Sequence, residues 1–286
     1  MQRIIFFLLG SVLTMPVFAG GGWTQGKGKG YLKVGQSWII ARQHFTDTGK
    51  LDPNTTFANY FTSAYIEHGL SDRLDVVGYV PFFARSLFYN TVSATTGETL
   101  LPGEAVNGIG DIDLSLKYAL IKEGPFVLAA SAWLGLPTGN SSGGNAGVLQ
   151  TGDGEFNQMV RLDLSTSKKV QGINTYYSAF VGFNHRTRGF SDEFRYGIEA
   201  GASFLDGKLI AILRGVGIAS LKNGAETAPE NSTSLFANNV EYFSIQPELA
   251  WQFSEKWGVS ASVGGAVFGR IILTAPMYSV GLYTTW

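Results

Sequence analysis

A chain of 286 residues with 21 basic and 22 acidic side chains carries a formal net charge of −1, so it lacks the basic excess that nucleic-acid binding requires. It contains no cysteine, which excludes a disulfide framework, thiolate metal sites and cysteine nucleophiles. Its 37 glycines, 20 Phe, 12 Tyr and 6 Trp fit a turn-rich all-β chain with aromatic side chains to spare for a membrane interface.

Residues 1–19 read as a secretory signal peptide. Arg3 supplies the charged start, 4–13 the apolar middle, and Val17 and Ala19 the small residues before cleavage. The apolar run is shorter than the roughly 20 residues of a spanning helix. The predicted plan is a leader at 1–19, a periplasmic N-terminal segment at 20–30 and one β-barrel domain at 31–286.

Twelve strands are predicted: 31–43, 57–70, 74–87, 109–121, 125–137, 155–167, 173–186, 194–205, 208–219, 240–254, 257–270 and 276–286. The gaps at 71–73, 122–124, 168–172, 206–207 and 255–256 are short. Those at 44–56, 88–108, 138–154, 187–193 and 220–239 are longer, and 271–275 is short again. Short turns alternating with longer loops are the signature of an up-and-down antiparallel transmembrane barrel, whose tight turns face the periplasm. A soluble sandwich has crossovers and no reason to alternate. The strands also exceed the usual soluble length of about 5–6 residues.

Side-chain alternation agrees. In 110–120, Ile112, Leu114, Leu116, Tyr118 and Leu120 share one face, while Asp111, Asp113, Ser115, Lys117 and Ala119 share the other. In a membrane barrel the apolar face meets lipid and the polar face lines the lumen. That register points seven bases inward (Lys33, Arg85, Lys117, Arg161, Arg186, Arg195, Arg270) and seven acids (Glu67, Asp75, Asp111, Asp113, Asp163, Glu199, Glu248). Lys117, Arg161, Arg195, Asp113, Asp163 and Glu199 are the candidate lumen-lining set, either flanking a narrow channel or pairing across and closing it. Strands 125–137 and 208–219 are apolar on both faces, so their register stays open. Pro81 and Pro247 lie inside strands and call for bulges. Glu241 falls on the lipid-facing phase, which suits only the headgroup level.

Phe45, Phe88, Tyr89 and Phe236 in the longer loops are a candidate apolar portal for hydrophobic solutes; the alternative is that they pack loops against the rim. No catalytic residue, cofactor or metal site is expected. GxSxG and HExxH motifs are absent, and His185 with Ser191, a short distance on, is the pair weighed for a surface hydrolase.

The last residues, 278–286, place Tyr278, Val280, Leu282, Thr284 and Trp286 on one face and end on an aromatic. This resembles the terminal signal read by the barrel assembly machinery of bacterial outer membranes, with Thr284 a departure from the usual large apolar residue. GIGDIDLSLKYAL (108–120), LGLPTGNSSGG (134–144), WTQGKGKGYLKV (23–34) and GLSDRLDVVGYVPF (69–82) together resemble the outer-membrane barrel family associated with the MetA-pathway of phenol degradation. The resemblance implies a roughly twelve-stranded barrel that passes aromatic or other hydrophobic small molecules. It supplies no catalytic or binding residue. The expectation is therefore a Gram-negative outer-membrane channel whose partners are outer-membrane lipid, the assembly machinery and a small solute. A closed barrel with adhesive loops is the alternative.

Overall fold

The computed structural model describes residues 20–145, 147–225 and 235–286, so the expected leader at 1–19 lies outside the described residues. Twelve strands form the wall: β1 Gly30–Phe45, β2 Leu51–Gly69, β3 Leu74–Phe88, β4 in two pieces (Glu104–Gly108 and Ile112–Ile121), β5 Val127–Leu136, β6 Asn157–Val170, β7 Ile173–Arg186, β8 Glu193–Phe204, β9 Leu209–Ser220, β10 Glu241–Gln252, β11 Trp257–Arg270 and β12 Met277–Thr285. Each pairs antiparallel with its chain neighbours, and β1 also pairs with β12, from Tyr31 opposite Thr285 to Ile39 opposite Met277. That last ladder closes the cylinder, leaving no free edge to recruit another strand. Among the described residues, no helix is long and apolar enough to cross a membrane.

Because paired residues share a face, the ladder assigns every side chain to the wall's inside or outside. The outside is apolar. Val160 is 64% exposed, Ile198 63% and Leu249 57%, and Leu114, Leu116, Leu162, Val280 and Leu282 join them. Aromatic rings gather at both ends of this band. Tyr196, Phe243 and Phe268 stack in sequence with centroids 6.2 and 5.9 Å apart, and Trp38 stacks on Tyr278. Trp251, Phe253 and Trp257 lie exposed at the opposite end.

The turns follow their residues. Gln171 and Gly172 both have positive φ, 49° and 86°, the signature of a two-residue type I′ hairpin turn. The predicted loop at 44–56 shrinks to 46–50. β1 and β2 run on past a register shift between Ala41 and Gln43, which places Pro53 opposite Gln43. The predicted loop at 88–108 likewise contains the first piece of β4.

Two bulges overturn parts of the predicted register. At Pro81–Phe82 the β2–β3 pairing steps from Ala64↔Val80 to Thr62↔Phe83, one residue more on β3. Gly110, in the break of β4, donates its N–H to the Pro81 carbonyl there at 2.8 Å. Beyond the bulge parity flips, so Arg85 shares the outer face with Tyr60 and does not enter the lumen. On β11 the extra residue is Val267, and Arg270 is turned outward opposite Glu241. That explains Glu241: Arg270 at 3.6 Å and Lys222 at 3.2 Å balance it at the outer rim. Pro247 needs no bulge; it faces outward, and the ladder to β11 lapses at Gln246–Pro247 and resumes in step at Glu248.

Candidate functional site

The inward phase of β1, β6, β8, β9 and β10 builds a belt of charge around the middle of the lumen. Arg214 on β9 is its hub. Its guanidinium donates to Glu199 on β8 and to Glu248 on β10, and Glu248 also receives Lys33 Nζ at 2.9 Å. The Tyr176 hydroxyl completes the chain by donating to Glu199 at 2.6 Å. On the facing wall Arg161 clamps Asp163 through Nε at 3.0 Å and lies 3.7 Å over the Phe180 ring. Every charge in this belt has an opposite partner, which is how charge is tolerated at low exposure. The belt surrounds a cavity of about 820 Å³. Glycine keeps that bore open: a Cβ at Gly201 would sit 2.0 Å from the Tyr176 ring and one at Gly258 would sit 2.2 Å from the Tyr283 ring. Both tyrosines therefore lie flat against the wall.

The end of the barrel that carries the short turns is narrowed by the N-terminal segment, which folds back against inward-facing side chains. The Gly22 N–H donates to Ser165 Oγ at 2.8 Å, the Gln25 N–H to Asp75 at 2.9 Å, and Gln25 Nε2 to Glu67 at 2.8 Å. Trp23 packs edge-on to Tyr176 at 6.0 Å. Lys117 sits 3.3 Å from Glu67 and 3.6 Å from Asp75 beneath this segment. Gly22 is the close-approach point, since a Cβ there would meet the Asp163 and Val127 carbonyls at 2.9 Å.

Above the belt lies a second cavity of about 450 Å³, which shares Ser37, Tyr79, Gln246 and Met277 with the first. One wall is ionic. Arg186 binds Glu155, and Glu193 at 2.8 Å; Arg195 binds Glu193 at 2.7 Å. Asp111 accepts the Gly139 and Asp153 amides at 2.9 and 2.7 Å. The opposite wall is apolar and comes partly from loops. Leu149 is fully buried among Ile39, Ala41, Phe57, Phe88 and Leu273. Ala237 and Val240 pack on Phe45, Ile271 and Ile272, and Phe236 meets Phe61 edge-on at 6.5 Å.

Five of the six candidate lumen residues line these cavities: Arg161, Asp163 and Glu199 the lower, Asp113 and Arg195 the upper. Lys117 lines neither, being buried with Glu67 and Asp75. Arg214 and Glu193 were not anticipated. Arg214 sits in a strand apolar on both faces, where alternation along the strand carries no signal for its direction. Glu193, at the end of the predicted loop 187–193, is the first residue of β8. On the strands and in the break of β4 the inward complement is thus six bases against eight acids, not seven against seven, and the loop before β6 adds Asp153 and Glu155 against Arg186.

Of the portal aromatics, Phe45 and Phe88 are buried in the two rim clusters and pack loops against the wall, Phe236 lines the upper cavity, and Tyr89 is exposed. They do not form one site. His185 points outward to Asp192 at 2.8 Å, whereas the buried Ser191 hydroxyl donates to Asn239 at 2.7 Å, so the two do not meet.

Two solved structures share this fold. An outer membrane channel from Pseudomonas putida F1 aligns with a TM-score of 0.60 at 14% identity, covering 95% of this chain and 100% of that one. The NanC porin aligns with a TM-score of 0.51 at 8% identity, covering 88% and 98%. No curated protein matches the sequence. The family described as "Putative MetA-pathway of phenol degradation" matches residues 19–267, nearly the whole barrel, and the chain belongs to it.

Proposed function

We propose that this barrel spans the outer membrane and passes small solutes passively through its lumen. The observation that carries the reading is the inversion of polarity across one closed wall: a lipid-suited apolar exterior around an ion-paired interior that holds two cavities on a common axis. Twelve strands enclose more space than the side chains of an eight-stranded barrel fill, and less than the open channel of sixteen. The bore is narrow and its charges are paired, so passage is selective for size and polarity. Family membership and the apolar wall of the upper cavity favour aromatic or other hydrophobic small molecules. The leader at 1–19 would export the chain, and the aromatic-ended strand at 278–286 would present it to the assembly machinery. The separation of Ser191 from His185 removes the support for the surface-hydrolase alternative that this pair offered.

Planar-bilayer recording of the purified, heat-modifiable protein tests the reading. Steady unit conductance in KCl is expected. Its absence would favour a closed barrel whose loops bind or adhere. Free solubility without detergent, or identical gel mobility boiled and unboiled, would reject the transmembrane assignment itself.

A further inference from the structure

The upper cavity is electrically unlike the belt below it. Four carboxylates face it (Asp111, Asp113, Asp153, Glu193) against two guanidinium groups, Arg186 and Arg195. Both guanidinium groups are already engaged by carboxylates, Arg186 by Glu155 and Glu193, Arg195 by Glu193. Asp111 is satisfied by backbone amides, and Asp153 accepts from the Glu155 amide at 3.0 Å and from Asn157 Nδ2 at 3.0 Å. Asp113 stands apart. It borders the cavity and, among the described residues, neither accepts a hydrogen bond nor forms a contact ion pair, although the charge of the nearby Arg195 guanidinium acts on it. The same chamber is lined by Phe61 and Phe236, edge to face, and by Ile218, Val240 and Leu273. A chamber of about 450 Å³ suits one small organic molecule.

We propose that the upper cavity is a binding station for small amphiphilic cations, primary amines with a single ring or short alkyl body, whose ammonium pairs with Asp113 while the apolar body rests on Phe61 and Phe236. The inference rests on the channel reading and names its substrate class. An ammonium replaces its lost hydration with a carboxylate that has no hydrogen-bond donor of its own and with aromatic faces. An aromatic carboxylate would meet a chamber of formal charge −2 whose guanidinium groups are already neutralised, and it would be repelled. Preference for the cation over an anion of the same shape follows.

Benzylammonium and benzoate are the probes. In planar bilayers, reversal potentials under gradients of each salt should show benzylammonium favoured about tenfold or more, and benzylammonium should block the KCl current saturably. Asp113→Asn should reduce both effects by about fivefold or more, with gel heat-modifiability unchanged, while Asp113→Glu retains them. Equal passage of the two ions, preference for benzoate, or an unaltered Asp113→Asn would overturn the proposal. If the wild type shows no steady KCl conductance, the channel reading fails separately. Titration calorimetry of the detergent-solubilised protein then decides the station alone: saturable benzylammonium binding that Asp113→Asn removes upholds it, and no such binding rejects it.

Discussion

Replacing Arg214 by Gln removes the hub of the lumen belt while keeping a side chain of similar reach. The belt holds Lys33, Arg161 and Arg214 against Asp163, Glu199 and Glu248, so the parent belt is balanced and the variant belt carries one net negative charge. A permeant ion on the axis passes roughly 6 Å from that charge. At an effective dielectric of about 40, midway between protein and water, the interaction is about 1.4 kcal/mol, close to tenfold in the preference for a cation. Salt of about 0.1 M screens only part of this, because its Debye length of about 10 Å exceeds the distance. The stability loss should be modest. Glu248 keeps Lys33, Glu199 keeps the Tyr176 hydroxyl, and the Arg214 side chain is 26% exposed. The roughly 3–5 kcal/mol expected for breaking a fully buried pair therefore falls to about 1–2. The assay is the reversal potential across a KCl gradient, on protein shown by gel shift to be folded. A variant that folds, conducts and reverses at the parent's potential would refute the placement of Arg214 on the conduction path.

Converting Lys117, Arg161 and Arg195 together to Gln should also turn the conductance toward cations in the same recording. The Arg161 and Arg195 changes should carry that shift, while Lys117→Gln alone should mainly destabilise, by about 3 kcal/mol, since it strands Glu67 and Asp75; urea unfolding in detergent separates the two effects. Ile198→Arg, on the outer face at 63% exposure, should cost about 2–4 kcal/mol on refolding into lipid vesicles if that face meets the bilayer midplane. An unaffected yield would contradict that orientation. Gln25→Ala should cost about 1–2 kcal/mol and loosen the N-terminal segment, read as faster proteolysis of residues 20–29, because the buried Glu67 loses the Nε2 donor, while the backbone amide at position 25 still donates to Asp75. Partial burial raises the Asp192 carboxyl, but hydrogen bonds from Asn223, the Arg186 amide and His185 outweigh it and hold the carboxyl below its usual range. A depressed acid contributes stability above its unfolded pKa and loses it as pH falls through its folded value, so the outer loops at 187–192 and 221–225 should lose amide-exchange protection only in strong acid. In Asp192→Asn that acid-dependent step should vanish.

Much of the wall was legible because strand physics is local. Alternation at 110–120, long strands separated by turn residues, and the aromatic last strand each report on a few neighbouring side chains, and closure into twelve strands follows once all of them demand a covered edge. The site was less legible. Lys117 carries the same inward phase as Asp113, yet one is buried beneath the N-terminal segment and the other borders an open chamber. That difference depends on where residues 21–25 settle, some ninety positions away. The loop aromatics failed as a group for a related reason: Phe45 and Phe88 are drawn into rim clusters by partners from distant loops, including Leu149 and Ala237.

From residues alone came the period of two, the twelve crossings and the polarity of each face, since these need nothing beyond neighbours along the chain. Tertiary structure decided the parity beyond Pro81 and Val267, where one inserted residue turned Arg85 and Arg270 from the lumen to the outside. It decided also that Arg214, lone in an apolar strand, should stand between two carboxylates. A pattern read along one strand has no knowledge of its ladder partners, and it is the ladder, closed on itself, that sets which charges meet.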